Sequence, residues 1–316
     1  MDIATASVES STVLEEIHGA VIASDLFLER ILIGFIGRGH ILIEDVPGTG
    51  KTLTARCVAD ALGLSFSRIQ FTPDLLPADV TGSHVFRESE RTFEFQEGPI
   101  FANIVLADEI NRAPPKTQAS LLEAMEEGQV TVDGETHQLP DPFFVIATQN
   151  PIEQEGTFPL PEAQIDRFLI KSSMGYPDET GEIELLQRRN DREEQSPSVV
   201  RVIEAADLRA LRRVPEQVHV HADLVEYVVR LARATREDDR VRHGVSPRGT
   251  QRLFEAARAH ATIAGRAYLT PDDVIKVAQP VLAHRLVLTP DAIINDVARA
   301  DVIDDVLESV PVPTVE

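Results

Sequence analysis

The sequence predicts an α/β fold: a parallel five-stranded core sheet sandwiched between helices, carrying two β-hairpin insertions and followed by a smaller all-helical domain. Three observations predict it. Five short, continuous apolar runs punctuate residues 41–170, two alternating segments are folded back by turn signals, and beyond about residue 178 only helical spacing remains.

Residues 12–36 place apolar side chains at helical spacing, interrupted at Gly34 and ending at Gly37-Arg38-Gly39. The strand candidates follow at Ile41–Ile43, Ser65–Ile69, Ile104–Ala107, Phe143–Ala147 and Phe168–Ile170. Continuous apolar runs of this length, alternating with helices, are the pattern of strands buried on both faces. The first hairpin pairs His84–Phe86 with Thr92–Phe95 around the charged turn Arg87–Arg91. The second pairs Gln129–Val132 with Glu135–Leu139 around Asp133-Gly134, a dipeptide suited to a two-residue turn. Residues 188–198 are charged and polar, close on Ser196-Pro197-Ser198, and read as a linker. Beyond it, helical spacing covers Ala205–Arg213, Ala222–Arg236, Ser246–Ala264 and Pro271–Arg285. Ser246-Pro247 and Thr270-Pro271 are start signals with proline at the first helical position. These elements divide the chain into a sheet domain (1–187), the linker (188–198) and a helical domain (199–316).

With 43% hydrophobic residues among 316, the chain is large enough for real cores, and its apolar runs are too short to span a bilayer. No basic-then-apolar leader opens it, and one cysteine, Cys57, allows no internal disulfide, so a cytoplasmic setting is expected. Cys57 itself, on a helix, reads as a small apolar group rather than a redox site. Fifty-two acidic residues against 30 basic ones leave a net charge of −22, which repels a phosphate backbone, so no nucleic-acid partner is expected. Only four of the basic residues are lysines: Lys51, Lys116, Lys171 and Lys276. A GC-rich genome explains such a bias. Adaptation to molar salt, where screening shortens to about 3 Å, explains the dense carboxylates as well, and is the preferred reading. His219-Val220-His221 lacks a third ligand nearby and reads as a lid segment, not a metal pair.

The chemistry concentrates after two strands. Between Ile41–Glu44 and the helix pattern Thr52–Leu62 lies Asp45-Val46-Pro47-Gly48-Thr49-Gly50-Lys51-Thr52. Glycines let backbone N–H groups converge on a phosphate, and the helix start adds a favourable dipole. Lys51 is expected at the outer phosphates and Thr52 at Mg²⁺. Aspartate stands at position 45 where such loops usually open with glycine; its tolerance of unusual backbone angles is the expected remedy. The second centre is Asp108-Glu109, delivered by the end of the run Ile104–Ala107. Ligands bind at that end of open α/β sheets. Asp108 is suited to hold Mg²⁺ through its water shell, and Glu109 to polarise an attacking water.

Around these residues the chain resembles the MoxR family of AAA+ ATPases, P-loop proteins of the helix-2-insert group. The resemblance is carried by Gln70–Pro77, Ala107–Gln118, Leu121–Glu127, Ala147–Pro151 and Phe158–Phe168, and extends from about residue 12 to 310. It implies ATP and Mg²⁺ as ligands and roles for further residues: Asn150 as the sensor of the γ-phosphate, Arg167 as an arginine finger for a neighbouring subunit, Arg248 as the second sensor. Without it, Asn150 reads as a turn residue, Arg167 as an ion-paired strand-edge arginine and Arg248 as a surface helix residue. It further implies a homo-oligomeric ring, commonly a hexamer. The two hairpins (about 83–97 and 129–139) then correspond to the helix-2 insert and the pre-sensor-1 hairpin, facing the pore. Related proteins carry Val-Gly-Gln near the adenine where this chain has Val21-Ile22-Ala23-Ser24, which leaves base preference open.

The function expected from this resemblance is ATP hydrolysis coupled to chaperone-like remodelling of protein clients, including proteins with von Willebrand factor A domains. The alternatives are a cofactor-insertion motor resembling magnesium chelatase or the gas-vesicle ATPase, a nucleic-acid motor, and a scaffold that binds ATP without turning it over. The acids Glu88, Glu90, Glu94, Glu97, Asp133 and Glu135 on the hairpins argue against the nucleic-acid motor, and Glu109, Asn150 and Arg167 against the idle scaffold.

Overall fold

In a computed structural model, which describes residues 1–89, 91–151, 156–191 and 197–314, two helices, α1 (Ile3–Ala20) and α2 (Asp25–Ile36), lead into strand β1 (Ile41–Glu44). Next come α3 (Lys51–Ala61), β2 (Phe66–Gln70), the short α4 (Pro77–Thr81), the hairpin β3 (Gly82–Arg87) and β4 (Thr92–Glu97), and β5 (Ile104–Asp108). Helix α5 (Pro115–Glu127) precedes the second hairpin, β6 (Gln129–Val132) and β7 (Glu135–Gln138). Then follow β8 (Phe144–Gln149), α6 (Glu162–Ile165), β9 (Ile170–Ser172) and α7 (Glu179–Asp191). The C-terminal part holds α8 (Ala205–Leu211), α9 (Ala222–Glu237), β10 (Val241–His243), α10 (Pro247–Ile263), α11 (Pro271–Leu282), β11 (Val287–Leu288), α12 (Pro290–Ile294) and α13 (Arg299–Ser309).

The core sheet has five parallel strands in the order β2-β5-β8-β1-β9. Because side chains alternate along a strand, each central strand feeds two cores. Ile41, Ile43, Ile104, Leu106, Phe144 and Ile146 pack on one face, with α1, α2, α3 and the C-terminal helices. Leu42, Val105, Ala107, Val145 and Ala147 pack on the other, against Leu121, Leu122 and Met125 of α5. The register sets Gln70 beside Asp108 and Glu44 beside Gln149, so the carboxyl ends of four strands form one edge.

Several helix starts follow the capping rules. Ser246 accepts from the Gly249 N–H ahead of Pro247, and Thr270 with Asp273 forms a reciprocal capping box on α11. Both hairpins are present, the second with Val132 opposite Glu135 around Asp133-Gly134. In the first, His84 stands opposite Phe95, and Arg87 belongs to the strand and pairs with Thr92, so the turn is one residue shorter than Arg87–Arg91, with Glu90 outside the described residues.

Other expectations are corrected. The break in the N-terminal helical stretch falls at Val21–Ser24, where Ser24 caps α2, and Gly34 sits inside that helix. A Cβ on Gly34 would come 2.7 Å from the Ile41 side chain, so the glycine serves close helix–strand packing. The last core strand is Ile170–Ser172; Phe168 and Leu169 precede it, with Leu169 N–H donating to the His40 carbonyl. Helix α7 runs to Asp191, into the stretch expected as linker, and residues 192–196 lie outside the described residues. The C-terminal part is not wholly helical, because β10 and β11 pair antiparallel. His219 forms a parallel bridge to Tyr268, and the His221 side chain accepts from the Asp223 N–H as the N-cap of α9. Cys57 is buried, and burial pushes its thiol up to about 11. No helix among the described residues is long and apolar enough to cross a membrane.

Candidate nucleotide site

At the shared strand edge lies a cavity of about 450 Å³. Its lining takes Pro47, Gly48, Gly50, Lys51 and Thr52 from the phosphate loop, Asp108 and Glu109 from the end of β5, and Asn150 from the end of β8. Gly48 and Gly50 hold φ of +88° and +95°, angles that L side chains rarely adopt. Gly50 is the N-cap of α3 and has no side chain to offer, which leaves the first N–H groups of the helix directed into the cavity. Val46 and Thr49 are not on its lining. The Val46 carbonyl accepts from Nζ of Lys51 (2.6 Å), and Oγ1 of Thr49 is buried without a partner.

Asp45 does not work as expected. It has no positive φ. Its side chain instead ties the loop down: Oδ1 accepts from the Val46 N–H (3.0 Å), and Oδ2 accepts from the N–H groups of Met174 and Gly175 (2.8 Å each). Met174 and Gly175 also line a second cavity, of about 320 Å³, together with Ile22, Ala23, Ser24, Tyr176 and Gly181. The stretch Ile22–Ser24 therefore sits beside the phosphate loop, with the Ser24 hydroxyl engaged at the N-terminus of α2.

The two acids are held differently. Oδ1 of Asp108 accepts from the Thr148 hydroxyl at 2.6 Å, and Oδ2 accepts from Nε (3.1 Å) and Nη2 (2.7 Å) of Arg68 on β2. Glu109 sits in the left-handed region (φ +57°), which turns its carboxylate away from the strand direction. A non-glycine residue there costs roughly 1–3 kcal/mol, and such strain gathers at functional sites. Oε2 of Glu109 accepts from Gln70 (2.8 Å) and from Arg112 (3.0 Å), and its backbone N–H donates to the same Thr148 hydroxyl at 2.9 Å.

Arg167 and Arg248 are brought together, but not here. Neither lines the cavity; Nη2 of Arg167 and Nη1 of Arg248 meet the two oxygens of Glu126, at the end of α5, at 3.2 and 3.0 Å. Arg68, Gln70 and Thr148 are site residues that sequence reasoning passed over. Their signal is the alternation of β2 and β8 read against β5, which needs the register.

The donor set fits Mg²⁺ with a polyphosphate: a hydroxyl and a carboxylate, Thr52 and Asp108, face a glycine loop that presents N–H groups. The arrangement is that of a P-loop nucleotide-binding protein, and the comparisons agree. Residues 40–170 match the family described as "ATPase family associated with various cellular activities (AAA)", and residues 233–306 match the AAA lid domain. The chain is 44% identical to YeaC of Bacillus subtilis, over 95% of this chain and 97% of that protein. It is also 44% identical to the chaperone MoxR1 of Mycobacterium tuberculosis, over 95% and 81% respectively. A crystal structure of a candidate ATPase from Cytophaga hutchinsonii superposes with a TM-score of 0.92 at 37% identity, covering 98% of this chain and 96% of that one. The chain belongs to the MoxR family of AAA+ ATPases.

Proposed function

We propose that this chain binds ATP with Mg²⁺, hydrolyses it, and couples the cycle to remodelling or assembly of partner protein complexes as a homo-oligomeric ring, a hexamer in the simplest case. The observation that carries the reading is the placement of Glu109 across one cavity from Lys51, its carboxylate steered by Gln70 and Arg112. Gly48, Gly50 and the start of α3 cradle the phosphates, and Lys51 leaves its two loop carbonyls for the outer phosphate charge. Thr52 and Asp108 hold the metal, partly through water. The metal supplies charge neutralisation at the transferring phosphoryl group. Glu109 orients the attacking water and takes its proton, while Asn150 senses the γ-phosphate. Arg167, which pairs with Glu126 outside its own cavity, serves the nucleotide of a neighbouring subunit, and Arg248, paired with the same carboxylate, acts as the second sensor.

The chaperone description of the MoxR1 relative supports protein clients for this chain, and those with von Willebrand factor A domains are the first to test. The acids at Glu94, Glu97, Asp133 and Glu135 suit neutral or basic polypeptide surfaces. The deciding experiment compares Lys51→Ala and Glu109→Gln. The first is expected to lose ATP binding, and the second to retain bound ATP without turnover. Full ATPase activity in purified Glu109→Gln protein would overturn the mechanism.

A further inference from the structure

Away from the nucleotide cavity, the two hairpins bring three side chains of metal-ligand type together: His84, Glu135 and His137. They come from separate two-stranded sheets. His84 lies on β3 opposite Phe95, whereas Glu135 and His137 lie two residues apart on β7 and share one face of it. One donor atom of each lies within 4.8 Å of the other two. The Phe95 ring positions both imidazoles. His137 stacks flat on it, with centroids 3.8 Å apart, and His84 packs against it at 5.6 Å.

Hydrogen bonding leaves the cluster incomplete by itself. An N–H at Nδ1 of His84 donating to Oδ2 of Asp133 (3.0 Å) leaves Nε2 with its lone pair. That Nε2 lies 3.6 Å from Oε2 of Glu135, too far for a hydrogen bond. Two ligand atoms on a tetrahedral ion with bonds of about 2.0–2.1 Å stand roughly 3.3 Å apart, so this spacing is nearer to co-ligation. Nε2 of His137 is closed to solvent and has no hydrogen-bond partner, an unsatisfied atom that an unmodified hairpin pair has no reason to bury. A carboxylate behind an imidazole, as Asp133 stands behind His84, is the usual means of orienting a metal-binding histidine.

We propose that His84, Glu135 and His137 form a site for a divalent transition-metal ion, Zn²⁺ by its donor set, which joins the two hairpins, with Asp133 orienting His84. Two imidazoles and one carboxylate suit zinc, whereas Mg²⁺ and Ca²⁺ select oxygen donors. The fourth position falls to water, since Glu135 stands at the exposed side of the cluster. Each hairpin alone is a two-stranded ribbon of marginal stability. A bound ion would make them move as one body.

The test uses the untagged full-length chain, stripped with a chelator and titrated with Zn²⁺ against a chromogenic chelator in excess Mg²⁺. The wild type is expected to take up one Zn²⁺ per chain. His84→Ala and His137→Ala should each bind it at least about tenfold more weakly, and Asp133→Asn about 10–100-fold more weakly. Unchanged circular dichroism and melting in the variants without metal separate ligand loss from unfolding. Co²⁺ provides a second readout, with the intense visible absorption of a four-coordinate ion in the wild type alone. No Zn²⁺ uptake at micromolar free metal, or equal affinity in the wild type and in the His84→Ala/His137→Ala double variant, would overturn the proposal.

Discussion

Nε of Arg285 lies 2.8 Å from Oδ1 of Asp166, in an ion pair that fastens the segment after α11 to the residue preceding Arg167. Arg285 is almost wholly buried, and burial pushes its guanidinium down to about 10 while Asp166 opposes the shift. The same guanidinium donates to the carbonyls of Phe168 and Leu169, so the approach to β9 is held from the C-terminal side. Asp166→Asn removes the counter-charge and strands a buried cation. We expect a loss of about 3 kcal/mol, at the low end for buried pairs because Asp166 keeps one side open to solvent. Urea unfolding reads it directly. A double change, Asp166→Asn with Arg285→Met, should recover much of the loss, and an unchanged midpoint in the single variant would show that the pair is immaterial.

Arg167 should act across a subunit boundary. Arg167→Ala is expected to bind ATP nearly as the wild type does and to hydrolyse it about 10³–10⁵-fold more slowly, the range for arginines that stabilise phosphoryl transfer. Glu109→Gln subunits keep the arginine but cannot activate water. Mixing the two inactive proteins should restore turnover at interfaces that pair an intact Glu109 with a neighbour's Arg167. A mixture that stays inactive, with mixed assembly verified by mass, excludes the trans role.

Arg68 places a fixed positive charge on the carboxylate expected to serve the metal. Removing it should favour a second cation there. Arg68→Ala is expected to lower the Mg²⁺ concentration for half-maximal nucleotide binding by about 3–10-fold, equivalent to about 1 kcal/mol of like-charge repulsion at a partly exposed site. Arg68→Lys should stay close to the wild type. A higher Mg²⁺ requirement in Arg68→Ala would instead make Arg68 a positioning residue for Asp108.

His40 predicts a pH dependence. Its Nδ1 accepts from the Val145 N–H and its Nε2 donates to the Met125 carbonyl, which uses both nitrogens of the neutral ring. Burial lowers its pKa from 6.5 to about 4. Below 6.5 the unfolded chain therefore binds a proton that the folded chain refuses, and stability falls as pH drops from 6.5 toward 4, by up to about 3 kcal/mol. Burial and the neighbouring Arg285 move His284 in the same direction. Protonation of surface carboxylates relieves repulsion and works the other way, so the measurement is a difference. The loss of stability between pH 7 and pH 5 should be smaller in His40→Gln, and equal losses would reject the assignment.

Salt should stabilise the fold. At −22 with four lysines, carboxylate repulsion is long-ranged at low ionic strength and confined to about 3 Å in molar salt. The melting temperature is expected to rise from low to molar KCl. A flat or falling profile would leave genomic bias as the account of the composition.

The elements that were legible in the sequence are those whose signal is local. Asp133-Gly134 fixes the second hairpin, and the fully apolar runs of β1, β5 and β8 locate the sheet centre. Helix α7 leaves its apolar residues Ile183, Leu185 and Leu186 exposed, and its last turn, Arg188–Asp191, is wholly polar, which is why that turn reads as linker. Gly34 looks like a breaker until Ile41 is seen packing on it. The phosphate loop and Asp108-Glu109 are contiguous motifs and stand out. Arg68 and Thr148 reach Asp108 from 40 residues away on either side, and Glu126 meets Arg248 from 122 residues away. Spacing along the chain holds no trace of such pairings, because they follow from strand order and from how the C-terminal helices seat on the sheet.

Asp45 gives the phosphate loop a property that glycine cannot. Its one carboxylate grips the loop at Val46 and the chain at Met174 and Gly175, immediately before α7. The loop and the start of that connection are consequently tied through one side chain. A shift of the loop is therefore expected to carry Met174 and Gly175 with it, toward the start of α7.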